Sequence, residues 1–283
     1  MPDILFTVSH IIAYQKKKTS QVFFIKKGPI TKIGPFIPLL PSYLVKYIYM
    51  RKILRFDTLD STNAYAKRNC SLMQDQTVIV AKTQTAGRGR LQRSWLSEPG
   101  GLYFSVVLKP TQIDFLPNLT QLMALAVCRT LCVSEVPAQL KWPNDVLVEN
   151  QKICGILSEA VTSANGFEAL VLGVGINVGQ KDLSRAGQPA VSLSMLGVQK
   201  TEEEILNKVL EHFFAQYETV LQNGFSAIRT AYLTHFPYIG KQVKIQNGPV
   251  PAQGTVETIS PDGKLVLNTS AGQTIISIGD MYI

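Results

Sequence analysis

Two glycines and three arginines crowd into seven residues of this chain, Gly87-Arg88-Gly89-Arg90-Leu91-Gln92-Arg93, with Gln84 before them and Trp95 after. Glycine lets a backbone approach a ligand closely. Arginine brings an always-charged planar fork of donors suited to phosphate and carboxylate. An aromatic at the end of the run can wall a flat ring, so the combination points to an anionic, nucleotide-like ligand. A second polar cluster, Lys141-Trp-Pro-Asn144-Asp145, sets a base, an amide and an acid around a proline-fixed turn, and Lys152 opens an apolar run seven residues beyond Asp145. Alone, Lys152 reads equally well as an edge lysine whose stem lies along apolar surface while its head stays wet. Together with the loop arginines it makes a cationic site for two anions, with Asp145 available to a metal. Activation of a carboxylate by a nucleoside triphosphate demands such a site. The carboxylate and the α-phosphate repel, so catalysis is largely neutralisation and alignment.

The elements that must position these groups are legible as alternating runs. Thr77-Val-Ile-Val-Ala-Lys82 is short, β-branched and apolar, so the arginine loop leaves a strand. Residues 51–57 read as another strand, followed by Asp60-Ser61-Thr62-Asn63, a cluster of helix N-cap residues. Capping alone accounts for them; the functional reading is that their hydroxyls and the free N–H groups of the helix start bind a polar ligand group. A strand at 100–109 and a helix over 117–133, apolar nearly all round and therefore buried, come next. Strands at 138–143, 146–148, 152–159 and 167–177 form a hairpin-like series. Residues 192–197 read as a short turn of helix. Thr201-Glu-Glu-Glu204 is a capping box opening a helix that ends at Asn223-Gly224, and a second short helix runs from 225 to about 235. Beyond Pro237, β segments at 242–246, 254–259, 264–268 and 274–278 alternate with turns, a module too small to hold much core alone. The order is α+β rather than strictly alternating.

Composition bounds the function. The chain has 283 residues and a net charge of +8, which invites a nucleic-acid reading. Residues 1–49, however, carry seven lysines and a single acid, leaving 21 basic and 19 acidic side chains, a net of +2, for the rest. The basicity belongs to the leader. Its apolar stretch is broken by Pro35, Pro38, Pro41 and Lys46, which argues against a membrane span, and it lacks the order of a secretory signal. No helix-turn-helix pattern is read there, and translation starting at Met50 is the expectation. The domains expected are therefore a basic extension (1–49), a catalytic domain (50–236) and a small β domain (237–283). Cys128 and Cys132, four apart in a helical pattern, read as a buried face rather than a metal pair.

Gly87-Arg-Gly-Arg90 with Trp95, Lys141-Trp-Pro-Asn-Asp145, Lys152-x-x-Gly-Ile-Leu157 and Gly173-x-Gly-Ile-Asn177 stand in the order and rough spacing of the biotin protein ligases, and Asp60-Ser-Thr-Asn63 matches that family's first motif. The chain resembles this family over residues 51–283. The resemblance implies a class II synthetase-like domain with a mixed or antiparallel sheet, plus a small SH3-like β-barrel. It implies that biotin and ATP, with Mg²⁺, give biotinyl-5′-AMP and pyrophosphate, and that a lysine of a biotin carboxyl carrier domain, as in acetyl-CoA carboxylase, then takes the biotin. By motif, Ser61, Thr62, Asn63 and Gln84 bind biotin, joined by Arg88, Gly89, Arg90 and Lys152. Gly87, Arg88, Gly89, Arg90, Arg93, Lys141, Asn144 and Asn177 serve the ATP or adenylate, with Trp95 against its ring system. Lys152 bridges the biotin carboxylate and the phosphate, and Asp145 serves Mg²⁺. Lys152, Arg90 and Asp145 are the implied catalytic groups. The family commonly has glycine where Gln92 stands, so the turn between Arg90 and Arg93 is expected to differ. A cytoplasmic monomer or homodimer without DNA-binding or membrane function is implied. The arginine loop, with its charges unpaired, is expected to be poorly ordered until an anion gathers it.

Two other readings compete. Lipoate protein ligases share the catalytic fold, but typically show an Arg-Arg-x-x-Gly-Gly-Gly-like motif and a His-Asp pair that this chain lacks. A nucleic-acid binder would need more than a net of +2 on the body and an aromatic-rich basic face. A P-loop is excluded, because no Gly-x-x-x-x-Gly-Lys-Ser/Thr run occurs.

Overall fold

The computed structural model describes residues 13–16, 19–22, 51–248 and 250–282. The chain divides into two compact units, residues 1–50 and 51–283. In the first, β1 (Ala13–Lys16) and β2 (Thr19–Val22) pair antiparallel. The expectations about the remainder of the leader, including its prolines and its start, fall outside the described residues.

In the second unit, seven strands make one mixed sheet. These are β3 (Ile53–Leu59), β4 (Thr77–Gln84), β5 (Gly101–Leu108), β6 (Gln139–Lys141), β7 (Asp145–Val148), β8 (Gln151–Ser163) and β9 (Gly166–Asn177), in the order β3-β4-β5-β9-β8-β7-β6. Only β3 and β4 run parallel; every other pair is antiparallel. Side chains alternate between the two faces, and the alternation decides what each face does. On one face Leu102, Phe104, Val106, Leu170, Leu172, Val174 and Ile176 join the main core. That core contains the apolar helix α2 (Leu116–Val133) and α3 (Glu202–Asn223), whose capping box at Thr201 and Glu204 forms as expected. By length and composition α2 would cross a membrane, but 67% of that window is buried in the core. On the other face Ile79, Val107, Ala169 and Val171 pack with Ala66 of the short helix α1 (Thr62–Arg68). Further along this second face the sheet carries Ser105, Gly173, Gly175 and Gly155, and the packing gives way to a cavity.

A second sheet of five antiparallel strands follows α4 (Arg229–Thr234): β10 (Gln242–Gln246), β11 (Ala252–Ile259), β12 (Leu265–Thr269), β13 (Gly272–Ile276) and β14 (Asp280–Tyr282), ordered β13-β12-β11-β10-β14. Its Val243, Ile245, Val256, Ile259 and Leu265 belong to the same core cluster as α2, as a module of this size requires. The turn at 262–263 is pinned by polar bonds. Asn118 donates to Asp262 O at 3.1 Å, and Gln121 Nε2 and Trp142 Nε1 donate to Gly263 O at 2.8 and 3.0 Å. Two local expectations differ. Residues 192–197 form turns rather than helix, and the stretch after Gly224 splits into a 3-10 turn (224–227) and α4.

Candidate active site

The parallel pairing of β3 with β4 places Leu59 opposite Gln84, so the start of α1 and the end of β4 reach the cavity side by side. Ser61 caps α1, accepting from Ala64 N. Thr62 N and Oγ1 donate to Gln84 Oε1 at 2.8 and 3.2 Å, and Gln84 Nε2 donates to Ser97 Oγ at 2.8 Å. Ser105 Oγ bonds Thr62 Oγ1 at 2.8 Å and Asn63 Oδ1 at 2.6 Å, while Asn63 Nδ2 donates to Glu159 Oε2 at 2.9 Å and Leu157 O at 3.2 Å. Buried polar groups are costly unless paired, and this network pairs them while fixing the orientation of every member.

The floor is a pair of rows across the sheet. Ser105, Gly173 and Leu157 face one another, and in the neighbouring row Tyr103, Gly175, Gly155 and Asp145 do so. Glycine here means close approach. A Cβ on Gly173 would stand 2.2 Å from Asn63 Oδ1, one on Gly175 2.4 Å from the Trp95 ring, and one on Gly155 2.9 Å from that ring and 3.0 Å from Lys152 Cε. Thus the polar network lies over one row and Trp95 with Lys152 over the next, two residues or roughly 7 Å along the strands. Lys152 Nζ is 2.8 Å from Asp145 Oδ1, with both side chains mostly buried, and 5.4 Å from the Trp95 ring centroid. Asp145 stands there because β6 and β7 form a hairpin with Lys141 opposite Asp145, its turn held by buried Trp142.

The arginine loop closes the cavity. It carries its own small ladder, with Gly89 N bonded to Arg93 O at 2.7 Å and Trp95 N to Gly87 O at 2.9 Å. Two of its three arginines, Arg90 and Arg93, are paired, where all were expected to be unpaired. Arg90 Nη1 donates to Asn144 Oδ1 at 2.9 Å and Gly279 O at 3.2 Å and lies 3.5 Å from Asp280, which also pairs with Arg93. A carboxylate from the C-terminal module thus neutralises two of the loop's cations. At the turn, Leu91 (φ 52°) and Gln92 (φ 59°) both take left-handed backbone, which glycine adopts without strain.

The result is a cavity of about 500 Å³. Ser61, Thr62, Asn63, Gln84, Arg88, Gly89, Arg90, Arg93, Trp95, Asn144, Asp145 and Lys152 all reach its wall. Three of the expected residues do not. Gly87 lies beneath the loop, where a Cβ would meet Ser97 Oγ at 2.5 Å. Asn177 is buried, its Nδ2 donating to the Lys152 and Val191 carbonyls at 3.2 Å, so it positions the Lys152 backbone. Lys141 points to the Tyr282 ring, and burial pushes its ammonium pKa down, against the pull of Asp145. Sequence reasoning missed Ser105, Glu159 and Asp280, and it quoted Gly155 only as part of a motif, with no role. A lone serine in a strand otherwise buried and apolar is a signal for Ser105. The distant contact of Asp280 has no local signal.

The family models agree with the motifs. One described as the Biotin/lipoate A/B protein ligase family matches residues 55–177, and one described as the Biotin protein ligase C terminal domain matches residues 238–283. A biotin--[acetyl-CoA-carboxylase] ligase of Paracoccus denitrificans is 30% identical over 235 residues, spanning 79% of this chain and 97% of that protein. The chain belongs to the biotin protein ligase family. The corresponding ligase of Mycobacterium tuberculosis is 30% identical over 218 residues, 73% of this chain and 79% of that one. Among solved structures, the biotin protein ligase from Aquifex aeolicus in complex with biotin and ATP superposes with a TM-score of 0.74 at 30% identity, covering 82% of this chain and 98% of that one.

Proposed function

We infer that this enzyme joins biotin to ATP as biotinyl-5′-AMP and then passes the biotin to a lysine of a carrier domain, a cytoplasmic protein modification. The observation that carries the reading is the adjacency of two unlike rows on one glycine floor. A donor–acceptor network of hydroxyls and amides lies over Gly173, and Lys152 lies over Gly155 beside the loop cations. Biotin has matching ends, a ureido ring with N–H donors and a carbonyl, and a carboxylate.

In the first step a carboxylate oxygen attacks the α-phosphorus of ATP, the bond to the β-phosphate breaks, and pyrophosphate leaves. Lys152 bridges the two repelling anions, and Arg88, with Arg90 and Arg93 as Asp280 gives those two up, gathers the phosphate. Asn144 holds Arg90 in place, and Trp95 presents its ring to the ligand. In the second step the carrier lysine, as a free amine, attacks the carbonyl of the anhydride; an amide forms and AMP leaves. Electrostatic preorganisation is worth most in a closed, water-poor site, which the loop and the C-terminal module jointly provide. Asp145 and Asp280 are the acids lining the cavity, each paired with a cation. That fits Mg²⁺ bound mainly by substrate phosphates with Asp145 as its one protein carboxylate, where it would neutralise triphosphate charge. The carrier is the biotin carboxyl carrier domain of acetyl-CoA carboxylase or a related biotin-dependent enzyme.

Biotin-dependent exchange of labelled pyrophosphate into ATP tests the reading, with lipoate as the competing acid. Exchange with biotin and not with lipoate is expected; exchange driven by lipoate, or by neither, overturns it.

A further inference from the structure

Away from the cavity, α2 carries Cys128 and Cys132 one turn apart, and His235 is the first residue past α4. A four-residue spacing sets both thiols on one helix face, and the histidine arrives from over 100 residues further along the chain. Cys132 Sγ lies 3.9 Å from His235 Nδ1, and ligand atoms of all three residues lie within 4.8 Å of one another. Tetrahedral zinc with sulfur and imidazole donors sets those atoms about 3.6–3.8 Å apart, so closure needs movements of only about 1 Å. The thiols are poorly satisfied otherwise. Both turn to a single acceptor, Ala138 O, at 3.3 and 3.8 Å, and the thiol of Cys132 is the one side-chain partner of the His235 ring among the described residues.

We propose that Cys128, Cys132 and His235 bind one thiophilic transition-metal ion, with Zn²⁺ the reference case. Two sulfurs and an imidazole are a soft set that favours zinc over magnesium or calcium. Cys128 is buried, whereas Cys132 and His235 are half-exposed and leave a side for a solvent molecule to complete four-coordination. On binding, each cysteine gives its proton to solvent, and two thiolates offset the divalent charge. None of the three ligands lines the anion cavity, so the ion is structural. It ties the end of α2 to His235, whose carbonyl accepts from Leu140 N at 2.8 Å at the root of the catalytic hairpin.

The test uses the full chain without an affinity tag, stripped by chelator, with Zn²⁺ or Co²⁺ alone as the probe. One equivalent of Co²⁺ is expected to give sulfur-to-cobalt charge transfer in the near ultraviolet and tetrahedral bands in the visible. Cys132→Ser and His235→Gln each remove a direct ligand and are expected to weaken Zn²⁺ binding by at least about 100-fold, since losing even an outer-shell partner costs up to about that much. Cys70→Ser, in the separate cluster under α1, is expected to leave binding unchanged. A cobalt spectrum without charge transfer overturns the site, whether or not the variants fold. So does Zn²⁺ affinity that survives both ligand substitutions or falls equally with Cys70→Ser.

Discussion

Arg90 is held by Asn144, the Gly279 carbonyl and Asp280 at once, so its guanidinium is positioned at the cavity wall before an anion takes the place of Asp280. Hydrogen bonds to charged groups contribute about 1.5–3 kcal/mol. Arg90→Ala is therefore expected to fold normally yet release biotinyl-5′-AMP roughly tenfold to a hundredfold faster, measured by chase of the labelled adenylate; retention equal to the parent's would remove Arg90 from the site. Two residues on, Gln92 occupies left-handed backbone, which costs a side chain about 1–2 kcal/mol. Gln92→Gly trades that strain against greater freedom in the unfolded chain, and a gain of up to about 1 kcal/mol is expected in denaturant unfolding. At this scale the sequence was informative wherever charge or an unusual residue type marked the position. The arginines, Lys152, Trp95 and Ser61–Asn63 stood out in the sequence and line the cavity. Asn177 did not declare that it supports the Lys152 backbone, because its partners are the Lys152 carbonyl of β8 and the Val191 carbonyl, which only the fold brings together.

At the scale of elements, β8 and β9 were legible as a hairpin, but what they hold up was not. The meaning of Gly155, Gly173 and Gly175 emerges only when register sets two of them side by side and lays Trp95 over both. Overpacking a closed contact costs about 1–3 kcal/mol. Gly175→Ala is expected to push Trp95 off the floor and weaken adenylate binding by at least about tenfold, with little loss of secondary structure by circular dichroism; unchanged binding would mean that the ring does not shape the site. The α1 terminus makes a separate prediction. The Arg68 guanidinium holds the Asp60 carboxyl at about 2, well below the usual carboxylate range. Any stability this pair adds is present above about pH 4 and fades as pH falls toward 2. Because the pair is exposed, Asp60→Asn is expected to cost no more than about 1 kcal/mol at neutral pH. Strands β3, β4, β5, β9 and β10 were readable because β-branched and apolar runs are long enough to carry a period. Strand β14, three residues long and paired only to β10, has no such run.

At the scale of the whole molecule, the small C-terminal sheet is part of the site rather than an appendage. It shares the α2 core, receives Trp142, and sends Asp280 to the loop arginines. Asp280 competes with phosphate for Arg90 and Arg93. Asp280→Asn keeps an acceptor and removes the charge, so it is expected to lower the KM for ATP by about two- to fivefold, the range of a partly exposed ion pair, with kcat little changed; a raised KM would assign Asp280 a positioning role instead. That contact, between residues nearly 190 apart, lies beyond any sequence window, whereas the catalytic motifs are compact and readable. The central claim is that one cavity makes and keeps an acyl adenylate. Incubating the full chain with biotin, ATP and Mg²⁺ but no carrier, then weighing the intact complex by native mass spectrometry, tests it directly. One equivalent of retained biotinyl-5′-AMP with matching pyrophosphate is predicted, and no adenylate, or an adenylate formed only with lipoate, would contradict it.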